Sequence, residues 1–170
     1  MGMFSAESLN SFDDLYLMQL RDLHSAESQL IEALPKMAQA TTHPELRQAF
    51  EDHLVQTQQH KARLEEVFHA LGEDPGGHTC EAMKGLIKEG NEVIGADADP
   101  GVRDAALIAA AQRVEHYEMA GYGCAATFAE RLGRTEDKAL LGQTLDEEKE
   151  ADSLLTRIAE QVVNPDAVRA

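Results

Sequence analysis

Four long stretches of this chain repeat apolar residues at spacings of three and four, and each ends at proline or glycine. That period belongs to helices with one buried face. The first line runs through Leu15, Tyr16, Leu20, Leu23, Leu30, Ile31, Leu34 and Met37. Ser11 with Asp14 opens it, and Pro35 predicts a kinked last turn or an early end. Thr42-His43-Pro44-Glu45 reads as a capping box with proline in the first turn. It leads into Leu46, Phe50, Leu54, Leu64, Val67, Phe68 and Leu71, where Gly72 stops the helix. After the Pro75-Gly76-Gly77 turn, Met83, Leu86, Ile87, Val93 and Ile94 share one side of a short helix. Asp99-Pro100 caps a long helix running to Leu132-Gly133, and Thr135 opens another that ends near Asn164-Pro165. No strand-like alternation occurs. The expectation is an all-α, antiparallel four-helix bundle forming one domain over residues 1–170, with helices at about 11–39, 43–71, 80–94, 100–132 and 135–163. The short helix lies in the crossover between two helix pairs. A shift of 91 residues lays Glu27 on Glu118, Leu54 on Leu145 and Leu64 on Leu155, a weak trace of duplication.

Charge narrows the partners. With 15 Lys and Arg against 31 Asp and Glu the formal net charge is −16. Nucleic-acid binding depends on neutralising phosphates with basic side chains, so no nucleic-acid partner is expected. An anionic membrane surface is disfavoured for the same reason. Solubility accounts for most of these charges, although an acidic shell also concentrates cations. Cys80 and Cys124 form no Cys-x-x-Cys pair, which leaves disulfide frameworks, rubredoxin-type iron and zinc fingers unsupported. Cys80 stands at a helix start, which lowers a thiol's pKa; a lone helical cysteine is otherwise a small buried residue. Residues 1–8 lack the basic and apolar stretches of a signal peptide, and no run of about 18 apolar residues occurs. A cytoplasmic location is expected.

The informative residues are polar ones on apolar stripes. Glu27 lies directly on the first line, with His24 beside it, and the second stripe carries His53 and His60 with Gln56 at its margin. Glu115 and Glu118 sit on the third, Glu148 and Asp152 on the fourth. A buried carboxylate needs a cation, hydrogen bonds or a proton. Basic residues on these stripes are scarce, with Lys61 and Lys149 at the edges and Arg113 one position off. One or two shared metal ions would satisfy several acids together. Carboxylate oxygens with one or two imidazoles suit iron, manganese or zinc better than copper. Helix-pairing and surface roles remain the competing readings for each acid, and a satisfied core histidine for His53. The run Asp146-Glu147-Glu148-Lys149-Glu150 reads mainly as a solvated face with Glu148 aimed inward. His69 and His78 read as loop or surface residues.

The segments Asp22 to Leu30, Cys80 to Met83, Arg113 to Gly123 and Leu145 to Lys149 resemble the YciF-type branch of the ferritin-like superfamily, and the likeness spans about Ser8 to Val162. The resemblance implies a rubrerythrin-like bundle, a homodimer and a link to bacterial stress responses. The wider superfamily builds a di-metal site from one Glu on each of two helices and a Glu-x-x-His pair on each of the other two. Glu27 and Glu118 match the single glutamates. Thr57-x-x-His60 keeps the histidine without the glutamate, while Glu148-x-x-Ala151 keeps the glutamate without the histidine. Gln56, His53, Glu115 and Asp152 are the substitutes within one turn.

Two functions compete. One is a metal-dependent redox protein acting on peroxide, dioxygen or ferrous iron, with Tyr117 or Tyr122 as a nearby phenol and electrons from a partner or from iron itself. The other is a non-catalytic dimeric stress protein with an attenuated site, which the depleted pairs favour. No feature specifies a storage cage.

Overall fold

The computed structural model describes residues 9–169, so the stretch read for a targeting signal lies outside the described residues. Helix α1 spans Phe12–Ala40, α2 Pro44–Leu71, α3 Glu81–Gly95, α4 Pro100–Arg131 and α5 Thr135–Ile158; a π turn at Ala159–Val163 leads to α6, Asn164–Ala167. Among the described residues no strand forms. Helix α1 packs on α2 and α4, and α5 packs on those same two, so the order around the bundle is α1, α2, α5, α4. Tyr16 near the start of α1 meets Asp137 at the start of α5, whereas Thr41 after α1 meets Asp104 early in α4. Neighbouring helices therefore run antiparallel. The crossover helix α3 lies alongside α1 and α4 rather than across an end. No helix here is long and apolar enough to cross a membrane.

Several punctuation marks act as the residues dictate. Ser11 Oγ accepts from the Asp14 amide at 3.0 Å and Asp14 answers through the Ser11 amide at 2.9 Å. Gly72 takes φ +70°, the left-handed conformation that ends α2. Three points differ. Of the two outcomes expected at Pro35, the early end of α1 does not occur: the helix runs on to Ala40, with Met37 and Ala38 beyond the proline buried in the core. The capping box at Thr42 does not form: His43 is the N-cap, without a side-chain bond. Instead buried Asp104 of α4 accepts from the amides of Thr42 and His43 and from the hydroxyls of Thr41 and Thr42, at 2.7–3.1 Å. The last helix also continues past Asn164-Pro165, since Pro165 falls in the first turn of α6, where it needs no amide partner.

The core has two apolar parts. One gathers Leu30, Leu34, Leu46, Phe50, Ile108 and Leu155; the other Tyr16, Leu20, Leu64, Phe68, Tyr122 and Leu141. Each fully buried large side chain stabilises by about 1.5–3 kcal/mol. Between the two parts, at mid-length of α1, α2, α4 and α5, lies a layer of buried polar residues. Gly121 brings α4 tight against α1 at that level, where a Cβ would lie 2.7 Å from Leu23 Cδ2.

Candidate metal centre

Glu27, His53, His60, Glu115, Glu118 and Glu148 are all buried in this layer. Each stands on an apolar stripe, so folding the stripe inward carries it into the interior whatever its own solvation cost. Two groups form. His53, Glu115, Glu118 and Glu148 offer ligand atoms within 4.8 Å of one another, and so do Glu27, His60 and Glu148. Glu148 belongs to both. Asp152 does not join them: it is partly exposed, accepting from Gln112 Nε2 at 3.0 Å and lying 3.4 Å from His116 Nε2. One turn beyond Glu148 the helix has rotated enough to aim it at the outer side of α4, which corrects its inclusion. His24 also turns away, toward Glu65.

The inner atoms converge without bonding one another. His60 Nδ1 lies 2.9 Å from Glu148 Oε1 and 3.6 Å from Glu27 Oε1, and His53 Nε2 lies 3.3 Å from Glu115 Oε1. These distances are short, yet both ring nitrogens lack an aligned hydrogen bond, as do Glu27 Oε2, Glu115 Oε2 and both oxygens of Glu118 and of Glu148. Orphaned buried acceptors at this density are rare in native proteins. Ligand-type atoms gathered within ion-pair reach of one another, yet without aligned hydrogen bonds, form a group that could hold a metal. The donor set fits iron, manganese or zinc, which accept carboxylate and imidazole together.

The outer atoms are aligned. His60 Nε2 donates to Glu147 Oε2 at 2.9 Å, and Arg63 grips Glu147 through two parallel bonds of 2.7 and 2.9 Å. His53 Nδ1 donates to Gln56 Oε1 at 3.3 Å. Each ring is thereby fixed with its other nitrogen facing the centre, the usual second-layer arrangement of metal-binding histidines. The Tyr122 hydroxyl donates to Glu27. Thr57, at the superfamily's glutamate position, bonds the carbonyl of His53 at 2.9 Å and so offers nothing inward. Sequence reasoning missed Glu147 and Arg63. Their signal is helical spacing: Arg63 follows His60 by one turn, and Glu147 neighbours Glu148.

Proton affinities follow from this crowding. Burial pushes Glu27 and Glu118 up, Glu118 further by Glu27, Glu148 and Glu115; burial raises Glu115 to about 7 although His53 opposes it. Burial alone would lower both histidines, but Glu115 and Glu148 hold His53 up at about 10, and Glu148 and Glu27 do the same for His60. Burial works against the Glu148 carboxylate, yet His60 and His53 bring it below its ordinary value. Without a metal, then, protons carry the compensating charge. The ion-pair contacts of Glu27, Glu115 and Glu148 are with His53 and His60.

Outside the layer, Cys80 is buried, and burial pushes its thiol up rather than down, so the helix-start expectation is corrected. It anchors the crossover: its amide donates to Ser25 Oγ, its carbonyl accepts from Gln29, and Sγ lies 3.0 Å from the Tyr117 hydroxyl, itself bonded to Asp22. His78 is half-buried and lies 3.0 Å from Asp22 Oδ1, more engaged than a surface residue.

A family described as a domain of unknown function, DUF892, matches residues 11–168. The chain belongs to that family. Protein YciF of Escherichia coli K12 is 45% identical over 161 residues, which cover 94% of this chain and 97% of that protein. The crystal structure of the same E. coli stress protein superposes with a TM-score of 0.89 at 46% identity, covering 92% and 99% of the two chains. YcfI of Rhodopseudomonas palustris, provisionally described as a structural protein, gives 0.86 at 44% identity, with 90% and 98% covered. A Xanthomonas campestris protein at 21% identity and a TM-score of 0.75, covering 94% and 98%, shares the fold. The family resemblance read from the sequence is thus shown, together with the all-α bundle that it implies.

Proposed function

We propose that this protein is a metal-binding, ferritin-like stress-response protein whose centre, held by Glu27, His53, His60, Glu115, Glu118 and Glu148, carries two ions of iron or manganese and acts in redox chemistry on peroxide, dioxygen or ferrous iron. The observation that carries the reading is the set of buried, unpartnered inner atoms grouped about Glu148. An iron or manganese ion held there would supply electrons to a small oxidant. The chain's own residues would set the conditions: the two apolar core parts exclude bulk water, Glu148 joins the two groups, and Glu147 and Gln56 orient the imidazoles. Tyr122 holds one oxygen of Glu27 and is the phenol nearest the chemistry. The homodimer belongs to the same reading and rests on the family likeness, and a cytoplasmic setting is proposed with it; light scattering and fractionation test them.

Metal analysis of protein purified without chelator decides the matter. About two iron or manganese ions per chain is the expected result. Glu118→Ala and Glu27→Ala should each lose metal, and full retention in both places the centre elsewhere. The second reading, a non-catalytic structural or interaction protein, is favoured by Thr57 and Ala151 where the superfamily has ligands, and by the provisional description of the R. palustris relative. Absence of metal, with a melting temperature unmoved by added metal, would establish it over the first.

A further inference from the structure

On the His53 side the polar layer is not sealed. A cavity of about 280 Å³ opens between α2 and α5, and its wall includes His53 and Glu115 of the candidate centre. Both are buried, and His53 Nε2 and Glu115 Oε2 are without hydrogen-bond partners. Phe50, Leu154 and Leu155 give the passage apolar sides, while exposed Asp52, Glu150 and Arg157 stand at its rim. Ala151, one turn after Glu148, presents only a methyl group, so the space a larger side chain would fill stays open. The cavity lined by Asp22, His78 and Tyr117 differs, because those three groups already bond one another.

We propose that the cavity is the ligand entrance of the centre, that it admits a small uncharged molecule of a few heavy atoms to the His53–Glu115 side, and that Ala151 sets its width. The inference rests on the metal reading above. Its volume is at the lower edge of small-molecule pockets, about 300–1,000 Å³, which excludes bulky substrates. The apolar sides at Phe50, Leu154 and Leu155 penalise a charged guest through lost hydration. Two carboxylates against one guanidinium at the rim disfavour anions further. Of the polar groups in the inner wall, His53 and Glu115 belong to the ligand group and Gln56 is paired with His53, so a molecule that enters meets the centre directly.

The test uses full-length protein loaded anaerobically with ferrous iron, probed with nitric oxide as a neutral diatomic and azide as an anion. Absorption and paramagnetic resonance report binding, and metal analysis reports loading. Ala151→Leu should keep wild-type iron content and bind nitric oxide at least about tenfold more slowly, since access then needs a conformational change. Leu154→Phe, which narrows the passage from the other wall, should slow binding likewise, and Ala151→Ser should match wild type. Azide should bind wild type more slowly than nitric oxide does. Unchanged nitric oxide rates in either narrowed variant that retains iron overturn the entrance, and azide binding as fast as nitric oxide overturns its preference for uncharged guests. A wild-type protein that retains no iron overturns the metal reading instead, and the entrance with it.

Discussion

His60 gives its outer nitrogen to Glu147, a carboxylate clamped by two bonds from Arg63; His53 gives its outer nitrogen to the neutral amide of Gln56. The His60 side is also closed, with Tyr122 bonded to Glu27 and no solvent exposure at the ring. The His53 side borders a cavity. A charged partner on the outer nitrogen makes an imidazole a stronger ligand, and a clamped one fixes its orientation. An amide does neither as strongly. On the proposed metal reading, one half of the centre is built to hold and the other to be reached. On that reading, His53 and Glu115 stand in on the open side for the ligands absent at Thr57 and Ala151, which lets a bundle with depleted paired motifs keep a coherent donor set.

The sharpest way to break this comparison is at Glu148, the residue both groups share. Glu148→Gln should weaken metal binding by more than about 100-fold at both positions, beyond what outer-layer changes produce, as read by calorimetry. Loss at one position alone would separate the groups. Next in size is the clamp. Glu147→Gln should cost about 10–100-fold in affinity, and Gln56→Leu less, because it removes a neutral partner. Equal effects would erase the distinction between the sides.

Acidity gives a third handle. The folded pKa values of His53 and His60, about 10, lie above the ordinary 6.5, so their contribution to stability is complete below pH 6.5 and is lost as pH rises toward 10. Glu115, raised to about 7, acts in the same direction from pH 4.5 upward. Metal-free protein should therefore melt lower at pH 9 than at pH 6.5, with each kcal/mol lost worth about 2–4 °C in a chain of this size. Metal binding displaces those protons, so affinity should rise over the same interval. A metal-free melting temperature that climbs with pH would contradict the assigned protonation. The smallest expected effect is at Ala151→His: an imidazole added on the open side should raise affinity there by a few-fold at most and leave the His60 side unchanged, seen as a shift in only one of two binding steps.

The apolar period of three and four, with its proline and glycine stops, determined the order and approximate extent of the five main helices, because a buried helical face needs that spacing; the π turn and α6 were not legible in it. The same stripes exposed Glu27, His53, His60, Glu115, Glu118 and Glu148, since a polar residue at the centre of an apolar line is carried into the interior with it. Asp152 was misread for a physical reason: one turn past Glu148 the helix has rotated enough for Gln112 and His116 to draw the carboxylate outward. Tertiary structure alone decided what crosses between helices. Glu147 meets His60 across 87 residues, Asp104 caps a helix it does not belong to, and the cavity beside His53 lies where α2 and α5 face each other with Ala151 in its wall. Periodicity reports which way a side chain faces along its own axis. Which neighbour stands opposite depends on how two helices are set against each other, and that information is carried by the whole core.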